Sequence, residues 1–280
     1  MGFGENIHVL FRGQEIGHQY TWHFQKVGSN VLHDRQFIYG DPDKAFAEAD
    51  HVIKLNWRYP KQSATPMETF GVIAQFERQP DRYTVWSNFQ GPYILQPIMA
   101  RALRVSGNFL RLISAPFSGG SFGLKQSIYP YIVLLAAASR ICGLPLKWTE
   151  DRLEHLMASS SAADRADELE AAFASDGTLL GLRIKNCVNV GAYVRAPEPA
   201  SVYRMHAASN GCYAVKNISI QNKLVSTNKM PVGLNRGYGG PQFYYGLERM
   251  MDLTARKLNI DTAEIRRKNF IPEDQFPYRA

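Results

Sequence analysis

Gly119-Gly120-Ser121-Phe122-Gly123-Leu124-Lys125, together with the apolar run from Ser127 to Ile141 that follows, is the stretch that decides the fold. Ahead of it Phe109 to Ala115 reads as a strand; behind it Gly143 and Pro145 end a helix. Strand, glycine turn and helix come in the order that aims bare backbone N–H groups at one point, the way chains build cradles for oxyanions and phosphates. A second signal of this kind, Asn235-Arg236-Gly237-Tyr238-Gly239-Gly240-Pro241-Gln242, stands far downstream. It precedes a strongly patterned helix, Phe243 to Leu258, carrying Leu247, Met250, Met251, Leu253 and Leu258. The pair reads as one site assembled from two loops.

Outward from these loops the elements follow in turn. Asp41-Pro42-Asp43 caps a short helix through Ala45, Phe46 and Ala49, and His51 to Tyr59 alternates as a strand. Gly71 to Phe76 and Tyr83 to Asn88 bracket the turn Gln79-Pro80-Asp81-Arg82, which predicts an antiparallel hairpin. Pro97 to Val105 places Ile98, Ala102 and Val105 at helical spacing. Residues 162–172 have helix-forming composition, but Asp176-Gly177 and the alternating run Leu179 to Val190 favour a hairpin instead. Tyr213 to Val225 is a further strand, and Asp261 caps a last helix ending near Asn269. Residues 1–40 read as an irregular connecting segment with short strands, and 41–280 as one domain in two sub-layers. The expected class is α+β, with layered antiparallel and mixed sheets and packed helices.

Composition bounds the function. At 280 residues, 45% hydrophobic and 20% charged, the chain can bury a large core and reads as a soluble globular protein. The apolar run Tyr129 to Ala138 is too short to span a bilayer, and Met1 to Asn6 has neither a basic head nor an apolar stretch; the expected location is the cytoplasm. Cys142, Cys187 and Cys212 are odd in number, widely spaced and without a CxxC pair, which supports no disulfide framework, zinc site or iron–sulfur cluster. A redox centre must therefore be brought in by something else. The net charge of +7 is scattered, with Arg266-Arg267-Lys268 its one dense cluster, so no nucleic-acid partner is expected. The first loop matches neither the P-loop nor the GxGxxG dinucleotide fingerprint.

Six pieces of the chain, in order, resemble the molybdenum-binding large subunit of the xanthine dehydrogenase, aldehyde oxidoreductase and aerobic carbon monoxide dehydrogenase family. They are Gly40 to Asp50, Pro66-Met67-Glu68, Phe89-Gln90, the two glycine loops, and Glu264 to Phe270. The resemblance runs from about residue 30 onward and corresponds to the first of the family's two cofactor-binding halves. It implies a molybdopterin-binding-domain fold and a molybdenum hydroxylase in which the metal is held by the pterin's dithiolene sulfurs, so that no protein ligands are needed. Gly120, Ser121, Phe122 and Gly123 would form the loop whose amides face the metal's apical oxygen, with the Arg236 amide approaching the same atom. Gln90 would donate a hydrogen bond to the oxo group, as a neutral amide can without ligating the metal. Tyr238 would pack its flat face on the substrate ring, and Arg204 would match the family arginine that steadies negative charge on a bound purine as it reacts.

Departures narrow the substrate. Gln126 stands where purine oxidisers carry a glutamate, which argues against purines. Pro231-Val232-Gly233-Leu234 lacks the cysteine of the copper-containing carbon monoxide enzymes, and Ser63-Ala64-Thr65 replaces a histidine that commonly precedes Pro-Met-Glu. The resemblance implies an aldehyde or N-heteroaromatic substrate, the cytosine dinucleotide form of the cofactor, and partner subunits carrying iron–sulfur clusters and FAD. It also implies a chain or segment bearing the second cofactor-binding half, where the base glutamate lies; Glu68 is not that base. A non-catalytic cofactor-holding or assembly subunit is the alternative reading.

Overall fold

The computed structural model describes residues 28–196 and 198–278. Two sheets organise the chain. The larger has the strand order β1 (Val31–Tyr39), β9 (Asn217–Ser226), β8 (Leu179–Gly191), β7 (Asp164–Phe173) and β2 (His51–Tyr59). All its pairings are antiparallel except β8 with β9, which run parallel. The smaller has the order β5 (Leu110–Ser114), β4 (Arg82–Ser87), β3 (Gly71–Glu77) and β6 (Leu146–Thr149), with β4 and β5 parallel. The class is α+β, as the alternating stretches and interspersed helices lead one to expect.

Each sheet buries one face against its own helices. Along β9 every second residue is buried, and Ile218 and Ile220 meet Leu182 and Ile184 of β8, Leu169 and Phe173 of β7, and Leu247, Met250 and Met251 of helix α6 (Gly240–Leu258). On the smaller sheet Val72, Ala74 and Val85 pack against Leu95 and Met99 of α2 (Pro92–Ala102) and Ile132 and Ala136 of α3 (Tyr129–Cys142). Burying each such Leu, Ile or Met contributes about 1.5–3 kcal/mol. A short α1 (Pro42–Ala47) opens with the Asp41 side chain accepting from the Lys44 N–H at 3.0 Å, and α7 (Thr262–Asn269) with Asp261 accepting from Ala263 and Glu264.

Several expectations change. Residues 31–39, read as part of an irregular segment with short strands, form one continuous edge strand paired with β9 from Val31 to Tyr39. Residues 1–27 of that segment lie outside the described residues. Helix α2 begins at Pro92, at its first turn after the left-handed Gly91, so Pro97 is inside the helix and not at its start. Helix α3 is buried on one side only: Leu134 and Ile141 are exposed, and Tyr131, Leu134 and Leu135 of its outer side line, with Trp148, Met157, Glu150 and Glu154, a groove of about 330 Å³. Its apolar composition exceeds what the smaller sheet can cover.

Candidate functional site

The first glycine loop is fastened at its entrance. Lys125 is fully buried, and its ammonium is met by the carboxylate of Glu68 and by Ser118 Oγ at 3.2 Å. The same Glu68 oxygen accepts from the Gly119 N–H at 2.9 Å and from Ser118 Oγ at 3.2 Å, while the Glu68 N–H donates to the Gly119 carbonyl. Burial pushes the Glu68 carboxyl up, but hydrogen bonds from Lys125, Gly119 and Asn88, with the Lys125 charge, outweigh it and bring the group down to about 2. Pro66-Met67-Glu68 is therefore a brace for the loop. After Gly123 the chain winds into a 3₁₀ turn, Leu124–Ile128, whose five side chains all go into the protein.

Gln90 is set by that loop. Its Oε1 accepts from Ser121 Oγ at 2.5 Å and from the Gly123 N–H at 3.1 Å, and its own N–H donates to the Lys125 carbonyl at 3.4 Å. With the oxygen so engaged, the amide NH₂ is the end left to donate outward.

The second loop closes on the first. Gly123 has φ +105°, and a Cβ there would lie 2.7 Å from the Leu234 carbonyl oxygen and 3.1 Å from the Asn235 nitrogen, so only glycine allows the two main chains to touch. The Arg236 guanidinium sits 4.7 Å from the centre of the Phe122 ring, a second link between the loops. Between them opens a cavity of about 300 Å³ lined by Gln90, Phe122, Gly123, Arg204, Leu234, Asn235, Arg236, Gly237 and Tyr238.

Six of the residues singled out in the sequence thus share one cavity: Gln90, Phe122, Gly123, Arg204, Arg236 and Tyr238. Arg204, at the C-cap of the short helix α5 (Ala200–Tyr203), is exposed there. Tyr238 is only 7% exposed. Gly120 and Ser121 lie on the loop but outside the lining, Ser121 acting through Gln90 and through the Lys125 N–H, which it accepts at 3.1 Å. Gln126 does not reach the cavity: it is buried at 5% exposure, its N–H bonded to the Gly123 carbonyl, because the 3₁₀ turn carries it inward. Sequence reading missed Lys125 as the partner of Glu68; a lysine directly after a glycine loop, with a carboxylate in a matching motif, was the signal available.

What the site offers is a set of donors: the Gln90 amide NH₂ and two guanidinium groups, around a rim of glycine-loop backbone. No group of three or more His, Cys, Asp or Glu that could hold a metal exists among the described residues, and no described helix is long and apolar enough to cross a membrane. Such a donor set fits an anionic, oxygen-bearing group that carries any metal on its own organic ligand. The dense basic cluster is neutralised by neighbours: Arg266 pairs with Glu248 at 2.8 Å and Asp252 at 2.9 Å, Arg267 with Glu264, and Lys268 with Asp176 at 2.8 Å.

Known proteins share this arrangement of sequence and fold. The large chain of carbon monoxide dehydrogenase from Hydrogenophaga pseudoflava is 34% identical over 260 residues, spanning 90% of this chain and 32% of that protein. The 6-hydroxypseudooxynicotine dehydrogenase complex subunit gamma from Paenarthrobacter nicotinovorans is 34% identical over 240 residues, spanning 86% of this chain and 30% of its own length. Among solved structures, quinoline 2-oxidoreductase from Pseudomonas putida 86 superposes with a TM-score of 0.84 at 29% identity, over 91% of this chain and 32% of that one. The chain therefore spans about a third of the length of these relatives. The family model of the molybdopterin cofactor-binding domain matches residues 23–270. The chain belongs to this molybdopterin cofactor-binding family, alongside the molybdenum-binding large subunits of the xanthine dehydrogenase type.

Proposed function

We propose that this chain supplies one half of the cofactor site of a molybdenum hydroxylase acting on an aldehyde or an N-heteroaromatic substrate. The observation that carries the reading is the single cavity in which the two glycine loops meet, with Gln90, Phe122, Gly123, Arg236, Tyr238 and Arg204 around it. When bound, the molybdenum cofactor supplies the two-electron redox chemistry that hydroxylates an electron-poor carbon, and the protein supplies orientation and electrostatics.

The residues of this chain divide the work. Gln90, its oxygen tied to the loop, presents two N–H donors without offering a competing ligand. The main-chain N–H groups of Phe122 and Arg236 would form the oxyanion-type cradle, that of Gly123 being taken by Gln90 Oε1 at 3.1 Å. Tyr238 gives the cavity a flat aromatic wall, and Arg204 places a permanent positive charge where a heterocycle would gather negative charge. No cysteine lines the cavity, which favours aldehydes and heteroaromatics over carbon monoxide. The relatives named for quinoline and for a hydroxylated nicotine derivative agree with a planar nitrogen heterocycle.

The second cofactor-binding half, with the catalytic base, would come from sequence beyond the matched third, and iron–sulfur and FAD subunits would carry electrons away. The cofactor would be the cytosine dinucleotide form, and the location the cytoplasm. The test is purification of the complex through this chain, metal analysis, and dye reduction with aldehydes and N-heteroaromatics. Turnover supports the reading; a complex with full metal that is inert toward the whole panel turns it toward a cofactor-holding subunit.

A further inference from the structure

The larger sheet carries a polar row where its core would otherwise continue. On its inner face Leu169, Ile184 and Ile220 stand opposite one another across β7, β8 and β9. Two residues along, Asp167, Asn186 and Asn222 face one another in the same register, and all three are buried. Buried amides are kept only where they bond. Asn186 Nδ2 donates to Asn222 Oδ1 at 2.7 Å, and Asn222 Nδ2 lies 2.6 Å from His206 Nε2. With its oxygen taken by Asn186, Asn222 meets the imidazole through an N–H, so His206 Nε2 accepts and the ring is neutral with its proton on Nδ1. Burial, then the Arg165 charge, hold His206 below its ordinary range, in accord with a neutral ring.

Two aromatic rings complete the seat. His206 packs edge-to-face on Phe37 of β1, with 4.7 Å between centroids, and on Tyr203 at 5.4 Å. Tyr203 ends α5 and His206 opens a 3₁₀ turn, His206–Ala208, so the two flank Arg204. The Arg204 N–H donates to the Ala200 carbonyl at 2.9 Å, but its guanidinium closes no hydrogen bond or ion pair among the described residues. It stands exposed in the cavity lining, and its direction depends on the backbone that carries it.

We propose that His206 is a positioning residue for Arg204: seated by Asn222 of β9 and by the rings of Phe37 and Tyr203, it locks the backbone that aims the Arg204 guanidinium into the cavity. The consequence for a substrate rests on the cavity being the substrate site; the seat itself does not. A long cationic side chain on a loose backbone spreads its charge over many positions, whereas a reacting heterocycle gains from a charge held in one.

The seat is tested on the full chain by nitrogen-15 NMR with labelled histidine, the His206 signals being those lost in His206→Ala. A ring protonated on Nδ1 and bare on Nε2 at about pH 7.5 is expected; a proton on Nε2 overturns the seat. Urea unfolding of His206→Ala, Asn222→Ala and the double variant weighs the bond. The double variant is expected to unfold about tenfold less readily than the product of the single effects, and simple multiplication overturns the pairing. The positioning role is tested in the assembled molybdenum enzyme with quinoline and benzaldehyde. His206→Ala is expected to lower kcat/KM about tenfold, and by less than about twofold where Arg204 is already changed to alanine. His206→Gln, whose Oε1 stands as many bonds from Cβ as Nε2 does, is expected to restore the rate. Equal losses with and without Arg204, or a His206→Gln as impaired as His206→Ala, overturn the role. A wild-type complex that turns over neither compound defeats the substrate reading of the cavity, and the role toward Arg204 with it, while the seat stands or falls on the NMR and unfolding results.

Discussion

Gly123 and Leu234 are packed so closely that one β-carbon on the glycine would stand 2.7 Å from the leucine's carbonyl oxygen. Residues far apart in the chain are thereby brought to one point, and the cavity between their loops exists because position 123 has no side chain. Gly123→Ala meets both this contact and a backbone at φ +105°. The variant is expected to lose about 2–3 kcal/mol of stability, measured by urea unfolding, because strain of this kind costs about 1–3 kcal/mol before any displacement of the second loop.

Gln90→Leu and Arg236→Ala touch the rim of the site and little of the core. Gln90 loses its bonds to Ser121 and Gly123, and Arg236 its stacking on Phe122. Each chain is expected to unfold within about 1 kcal/mol of the wild type. Turnover by the assembled enzyme is expected to fall by about a hundredfold or more, as for loss of an oxyanion donor. Wild-type rates in both variants would remove these residues from the mechanism.

Glu68 couples the first loop to acid pH. Its carboxyl lies at about 2 when folded, below the ordinary carboxylate range, so its contribution is fully present above about pH 4.5 and is lost as pH falls through about 2. The side chain is 39% exposed, which screens the pair and holds the effect to about 1 kcal/mol. Glu68→Gln is accordingly expected to melt below the wild type at pH 6 and to approach it at pH 2.5, in thermal scans of the two proteins.

Asp167 behaves in the opposite sense. Burial pushes it up to about 6, with the charge of Arg165, 3.5 Å away, pulling it down. A raised carboxyl favours the folded state below its unfolded value near 3.8 and loses that contribution as pH rises through about 6. The stability of Asp167→Asn relative to wild type is expected to improve between pH 4 and pH 7.5, on the order of 2 kcal/mol. A flat difference across that range would show Asp167 to be ionised throughout.

Local chemistry made much of this fold legible. The turn at Gln79 to Arg82, the Asp41 and Asp261 caps and the amphipathic face of α6 are written in adjacent residues, and they appear where the sequence puts them. Asp176-Gly177 likewise outweighed the helical composition of residues 162–172, and residues 164–173 form β7 against β8. Helix α4 (Arg152–Ala158) went unread although Asp151 and Glu154 form a capping box, and β6 is too short for alternation to register. In the site, the two glycine loops announced themselves, whereas Lys125 with Glu68 is a pair made by tertiary packing between distant segments. Gln126 shows the converse: adjacency to a loop says little about direction when a 3₁₀ turn intervenes.

The most direct test of the two-loop site is the molybdenum and pterin content of the complex purified through this chain, compared with the same complex carrying Gly123→Ala. About one metal and one pterin per chain in the wild type, with loss of both in the variant while the subunits still assemble, is the expected result. A fully assembled wild-type complex without molybdenum or pterin, or a Gly123→Ala complex that retains both in full, would contradict it.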